Sequence, residues 1–111
     1  MNQQQNTSLL QGVYGTVKRG PLTPVCKQGT KCYGPAKHAM LAFLKHGPFL
    51  TPGKIFARVL TDAKGGYRIA LPAGRYMLRA TLGSGRITPR SVTVPKGRFV
   101  RVNAVIDTGI R

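Results

Sequence analysis

Few side chains in this 111-residue chain are equipped for chemistry, and they are unevenly distributed. Cys26, Cys32, His38 and His46 form a C-x5-C-x5-H-x7-H series of sulfur and imidazole groups. A tetrahedral metal takes such donors, but its usual clips, C-x2–4-C and H-x3–5-H, are tighter than these spacings. Cys26 and Cys32 sit in a Gly- and Pro-rich stretch and suit a small disulfide ring in an oxidising compartment, remaining free thiols otherwise. No metal is assigned, and His38 and His46 read as surface residues. Acid–base or nucleophilic catalysis needs positioned carboxylates or an activated nucleophile. The chain has two carboxylates, Asp62 and Asp107, and no glutamate. Asp62 precedes a glycine turn, and Asp107 is expected to pair with a neighbouring arginine. With no P-loop and no dinucleotide fingerprint, neither an enzyme nor a cofactor is expected.

What remains is positive charge: 18 Lys and Arg against two acids, a net charge of +16 and a pI near 11.3. So large a field of one sign repels itself and is best tolerated beside a polyanion. A merely solvated surface would ordinarily intersperse both signs. Arginine outnumbers lysine ten to eight, a mild preference for the fork that grips phosphate or sulfate at two points. The expected contact residues are Arg68, Arg75, Arg79, Arg86, Arg90, Lys96, Arg98 and Arg101. The expected partner is a nucleic-acid backbone, DNA or RNA, with an acidic polysaccharide or anionic envelope as second choice. Base-specific readout is not expected, because no recognition helix or zinc finger is visible and the aromatics fall mostly on inward positions.

The elements that must carry these side chains read as strands. Val13, Gly15 and Val17 alternate with Tyr14, Thr16 and Lys18, and residues 54–61 (KIFARVLT) are β-branched and aromatic. Tyr67, Ile69 and Leu71 alternate with Arg68 and Ala70. After Pro72-Ala73-Gly74, Tyr76, Leu78 and Ala80 alternate with Arg75, Met77 and Arg79, which predicts a hairpin with Arg68 directly opposite Arg79. Val92 and Val94 precede a turn at Pro95-Lys96-Gly97. Val100, Val102, Ala104 and Ile106 follow in alternation, so Lys96, Arg98 and Arg101 are placed in a last hairpin. Short strands every 8 to 12 residues with Gly/Pro turns indicate an all-β sandwich. Residues 36–46 (AKHAMLAFLKH) have helical propensity and a glycine stop.

A chain of this length supports one domain. The first 17 residues carry no charge, which marks residues 1–11 as an arm and residues 12–111 as the compact domain. The arm could instead supply a strand to a neighbouring copy, making the chain a structural subunit of a surface filament. Residues 1–11 lack the basic start and apolar run of an export signal, and no stretch approaches the ~18 apolar residues of a membrane span.

Residues 61–67 (TDAKGGY), followed by residues 71–78 (LPAGRYML), resemble the signature of carboxypeptidase regulatory-like domains, a TD-x-x-G-x-(F/Y) turn and an L-x-x-G-x-Y-x-L hairpin. Residues 12–21 (GVYGTVKRGP), Pro24-Val25-Cys26, Cys32 and residues 107–111 (DTGIR) resemble small exported bacterial proteins of this kind. The resemblance implies an Ig-like, transthyretin-like sandwich of about seven strands, without catalytic activity, in an extracellular or surface location. It also places a strand over residues 36–46. Within it, Asp62 accepts backbone hydrogen bonds in the turn, and Gly65, Gly66 and Gly74 suit positive φ. Related adhesin repeats carry a Lys–Asn crosslink assisted by an acid in G-x-Y-x-L-x-E. Ala80 holds the place of that acid, so no crosslink between Lys18 and Asn103 is expected.

Overall fold

The computed structural model describes residues 10–25, 32–46, 52–81 and 86–109, with only the backbone described at His46, Pro52 and Gly53. Among them are ten strands and no helix: β1 (Gly12–Gly20), β2 (Gly34–Pro35), β3 (Met40–His46), β4 (Pro52–Leu60), β5 (Gly66–Ala70), β6 (Gly74–Ala80), β7 (Ile87–Thr88), β8 (Ser91–Val94), β9 (Phe99–Arg101) and β10 (Ala104–Asp107). They form two sheets facing each other across one core, the all-β sandwich that the alternating sequence predicts.

β1 organises the first sheet. On one side it pairs antiparallel with β5 over Gly12–Thr16 and with β2 at Lys18 and Arg19. Its other side is lined by β9 and β10, both parallel to it. Asn103 lies where β9 gives way to β10, and its Oδ1 accepts the Thr16 N–H at 3.0 Å. The second sheet, β4–β3–β6–β8, is antiparallel throughout. Val13, Val17, Tyr67, Leu71 and Ile106 enter the core from the first sheet, and Leu41, Phe43, Tyr76, Leu78 and Val94 from the second. Residues 40–46 become a strand despite their helical propensity because β3 lies between β4 and β6, where Leu41 and Phe43 fill the core completely. Burial in a central strand outweighs propensity differences of less than about 1 kcal/mol per residue.

Two expected hairpins are corrected. β5 belongs to the first sheet and β6 to the second, so the connection through Pro72 and Ala73 is a crossover between layers. The Tyr76 hydroxyl donates to the Pro72 carbonyl at 2.7 Å and pins this corner. Leu71 and Tyr76 are both inward, as alternation requires, but they come from opposite layers. Likewise, β8 lies in the second sheet and β9 in the first, so Lys96 and Arg98 occupy another crossover.

The glycine turn behaves as expected at Asp62, whose Oδ1 accepts the N–H groups of Lys64 and Gly66, each at 2.8 Å. These bonds, from Gly66 and then Lys64, hold its carboxyl below the usual range. Gly65 has φ +82, and a Cβ there would meet the Val17 carbonyl oxygen. Gly66 is required for a different reason: its φ is not positive, but a Cβ would come within 2.9 Å of the Asp62 carboxylate. Residues 1–9 lie outside the described residues. Gln11, placed in the arm by sequence, is buried, and its Oε1 accepts the Gly97 N–H at 3.0 Å.

The Tyr67 hydroxyl donates to the Val102 carbonyl at 2.6 Å, and burial pushes this phenol up from 10.0 to about 12. A raised folded-state value favours the neutral form, so the stabilisation is complete below pH ~10 and is lost as pH rises towards 12. The thermal midpoint should therefore fall steeply over that interval, and less steeply in Tyr67→Phe. Equal slopes in the two proteins would show that Tyr67 ionisation is not coupled to unfolding.

Candidate polyanion interface

Outward positions on a strand alternate with core positions, so charge placed at every second residue is delivered to one outer surface. Fifteen of the eighteen lysines and arginines lie among the described residues, and every one of them is exposed. All eight residues expected to meet a polyanion are in this group. They do not form one field. Arg68 on β5 pairs in register with Tyr14 of β1, whereas Arg79 on β6 pairs with Ala42 of β3. The two arginines therefore point out of opposite sheets, and the expected like-charge opposition between them does not exist.

The outer face of the second sheet carries three arginines. Arg58 on β4 and Arg79 on β6 flank Ala42 in one cross-strand row. Strand spacing puts their Cα atoms about 10 Å apart. Along β6, Arg75 lies on the same face, beyond Met77. Ala42 and Leu44 are only 2% and 6% exposed, yet they belong to the outward set and not to the core cluster. The stems of Arg58 and Arg79, with Ile55 and Met77 beside Leu44, form the rows that cover them. At the sheet's far side, Arg79, Arg86 and Arg90 line a hollow of about 180 Å³ floored by Met77, Leu78 and Ile87. Neither carboxylate belongs to a strand of this sheet: Asp62 lies in the turn before β5, and Asp107 ends β10.

The outer face of the first sheet is different in kind. Arg68, Tyr14 and Arg101 form a row across β5, β1 and β9. The Arg68 guanidinium lies 3.7 Å from the centre of the Phe99 ring, a cation–π stack. Gly12 makes this approach possible, because a Cβ there would lie 2.7 Å from Phe99 Cε2. Lys96 and Arg98 sit apart, at the crossover between the layers.

Arg58 was missed by sequence reasoning, although its parity with inward Ala57 and Val59 was a usable signal. What was not legible was β3 as the shared neighbour of β4 and β6, which sets Arg58 and Arg79 in one row. The expectation that aromatics lie mostly inward holds in part. Phe43, Tyr67 and Tyr76 are inward, but Tyr14, Tyr33 and Phe56 are 37%, 48% and 45% exposed. A bulge in β4 displaces Phe56, over whose ring Lys45 Nζ lies at 4.5 Å.

Of the cysteine–histidine series, Cys26 and the side chain of His46 lie outside the described residues. His38 is exposed in a turn at φ +50. Cys32 is half-buried, and its carbonyl accepts the Leu22 N–H at 2.7 Å. Asp107 Oδ1 accepts the Gly109 N–H at 2.8 Å. No family model matches the chain, nor does any curated protein or solved structure.

Proposed function

We propose that this chain is a non-enzymatic β-sandwich module, of the carboxypeptidase regulatory-like kind, that binds the backbone of a nucleic acid. The reading is carried by the outer face of the second sheet, where Arg58, Arg75 and Arg79 stand exposed with no carboxylate on the same sheet. Such a surface grips phosphates by fork-shaped donors without reading sequence. A sheet face with no projecting helix among the described residues suits charge neutralisation along a backbone better than insertion into a groove.

The test is a titration of double-stranded DNA of unrelated sequences over a range of salt. Each phosphate neutralised releases condensed counterions, so about five contacts give a slope of log affinity against log salt of roughly −4 to −5. Affinities should differ little between sequences at one salt concentration. Absence of binding at low salt would remove duplex DNA as the ligand of this face.

We also propose that Cys26 and Cys32 close a disulfide in protein from an oxidising compartment, consistent with the turn-rich setting of Cys32. Intact mass should rise by two hydrogens on reduction. An unchanged mass, with a bound metal in equal moles, would instead favour the cysteine–histidine series as ligands.

A further inference from the structure

Besides the arginine array, the sandwich has a second outward surface whose residue types call for another explanation. On the outer face of the first sheet, an exposed tyrosine stands between two arginines, Arg68–Tyr14–Arg101. Phe99 lies one strand across and two residues back from Tyr14, about 8 Å away by strand geometry. The Arg68 guanidinium lies over its ring at 3.7 Å, so a cation and a ring share this end of the face. Further along β1, Tyr33 lies over Gly20, where a Cβ would be 2.2 Å from the ring. Between them, Thr16, Lys18, Tyr33, Pro35 and Lys64 border a hollow of about 460 Å³. Tyr14 to Gly20 spans six residues of strand, about 20 Å.

We infer that this face is a stacking platform for unpaired nucleotides, so that the ligand held there is single-stranded nucleic acid. This deepens the nucleic-acid reading and rests on it. Aromatic rings and guanidinium planes stack on bases of any identity, while cations beside them neutralise the backbone. A duplex keeps its bases stacked on one another and cannot offer them to a flat sheet, so the aromatic groups select against it. The inward tyrosines make the contrast: Tyr67 and Tyr76 use their hydroxyls on backbone carbonyls inside the fold. Asp62 borders the Tyr14 end and Asp107 the Tyr33 end; Asp62 Oδ1 accepts the Lys64 and Gly66 N–H groups, and Asp107 Oδ1 accepts the Gly109 N–H.

The experiment uses the full chain, whose tyrosines report directly because it has no tryptophan. An oligothymidylate of ~12 nucleotides, a blunt duplex of the same length and inorganic polyphosphate are titrated at about 50 mM and about 300 mM salt. Single strands should quench tyrosine emission and retain binding at the higher salt, whereas polyphosphate should do neither. Tyr14→Leu should weaken oligothymidylate binding about tenfold, the loss of one stacked base, and Tyr14→Phe should restore it to within about twofold. Neither change should alter polyphosphate binding. Should Tyr14→Leu fail to fold, quenching of the unaltered chain by oligothymidylate but not by polyphosphate decides. If oligothymidylate and polyphosphate bind alike at both salts, or Tyr14→Leu binds as the parent does, the platform is overturned while backbone binding stands. If none of the three ligands binds at low salt, both readings fall together.

Discussion

Converting Arg58 and Arg79 together to glutamine should reduce the magnitude of the salt slope for double-stranded DNA by about two units if both touch phosphate. In affinity, the loss of two counterion-releasing contacts amounts to roughly fiftyfold to hundredfold at about 0.1 M salt. These two residues are chosen because they share a row, Arg58–Ala42–Arg79, and so meet one ligand surface together. Pairing Arg68 with Arg79 would divide the change between opposite faces. Stability should change little, because two opposed effects nearly cancel. Shorter stems cover Ala42 and Leu44 less completely, while relief of repulsion between cations about 10 Å apart is modest at that salt. The measurement is a salt series for parent and variant with thermal midpoints recorded alongside. A variant with the parent's slope and affinity would show that this face does not contact DNA. A steep fall in the midpoint would show that the arginine stems matter to the sheet more than their charges do.

Replacing Thr61 by valine should be among the most destabilising single changes available at constant volume. Thr61 follows β4 and is 1% exposed. Its hydroxyl donates to the Ala36 carbonyl at 2.5 Å and accepts the Ala39 N–H at 2.7 Å, while its own N–H donates to the Ala39 carbonyl at 2.9 Å. One side chain thus satisfies two backbone groups of the turn that leads into β3. Ala36 and Ala39 are themselves buried, so water cannot take over. Valine keeps the shape and the strand preference but removes both bonds. Each orphaned buried group costs about 1–3 kcal/mol, giving roughly 2–6 kcal/mol in all. Urea unfolding of Thr61→Val beside Thr61→Ser separates the hydroxyl from the methyl group, since serine keeps the bonds and loses about 1 kcal/mol of packing. A valine variant within about 0.5 kcal/mol of the parent would mean that the turn finds other partners.

Much of this protein was legible in its residues. Period-two alternation identified β1, β5, β6, β8 and the stretch that holds β9 and β10, and which side of each is buried, because facing along a strand alternates residue by residue; β2 and β7 were not read, and the strand over residues 36–46 came from the family resemblance. Thus Tyr67, Ile69 and Leu71, and later Tyr76, Leu78 and Ala80, were inward in the sequence and are inward or partly buried in the fold. The Asp62 turn was legible for the same local reason: donor, acceptor and glycine lie within five residues. The exposure of the cations followed from their parity and from the scarcity of acids.

Which strands share a layer was not legible. A hairpin and a crossover make the same demand on Leu71 and Tyr76, that both face the core, and the Pro72-Ala73 link satisfies either. The choice was made by long-range partners: β5 pairs with β1 across some fifty residues of chain, and β6 lies between β3 and β8. That choice separates Arg68 from Arg79, joins Arg79 to Arg58, and turns Tyr14 and Phe99 into neighbours of Arg68 and Arg101. Local sequence therefore set the chemistry of each strand's outward edge. Only tertiary pairing could compose those edges into two faces, one lined with arginine and one mixing arginine with aromatic rings, because strand neighbours are chosen by the fit of the whole core.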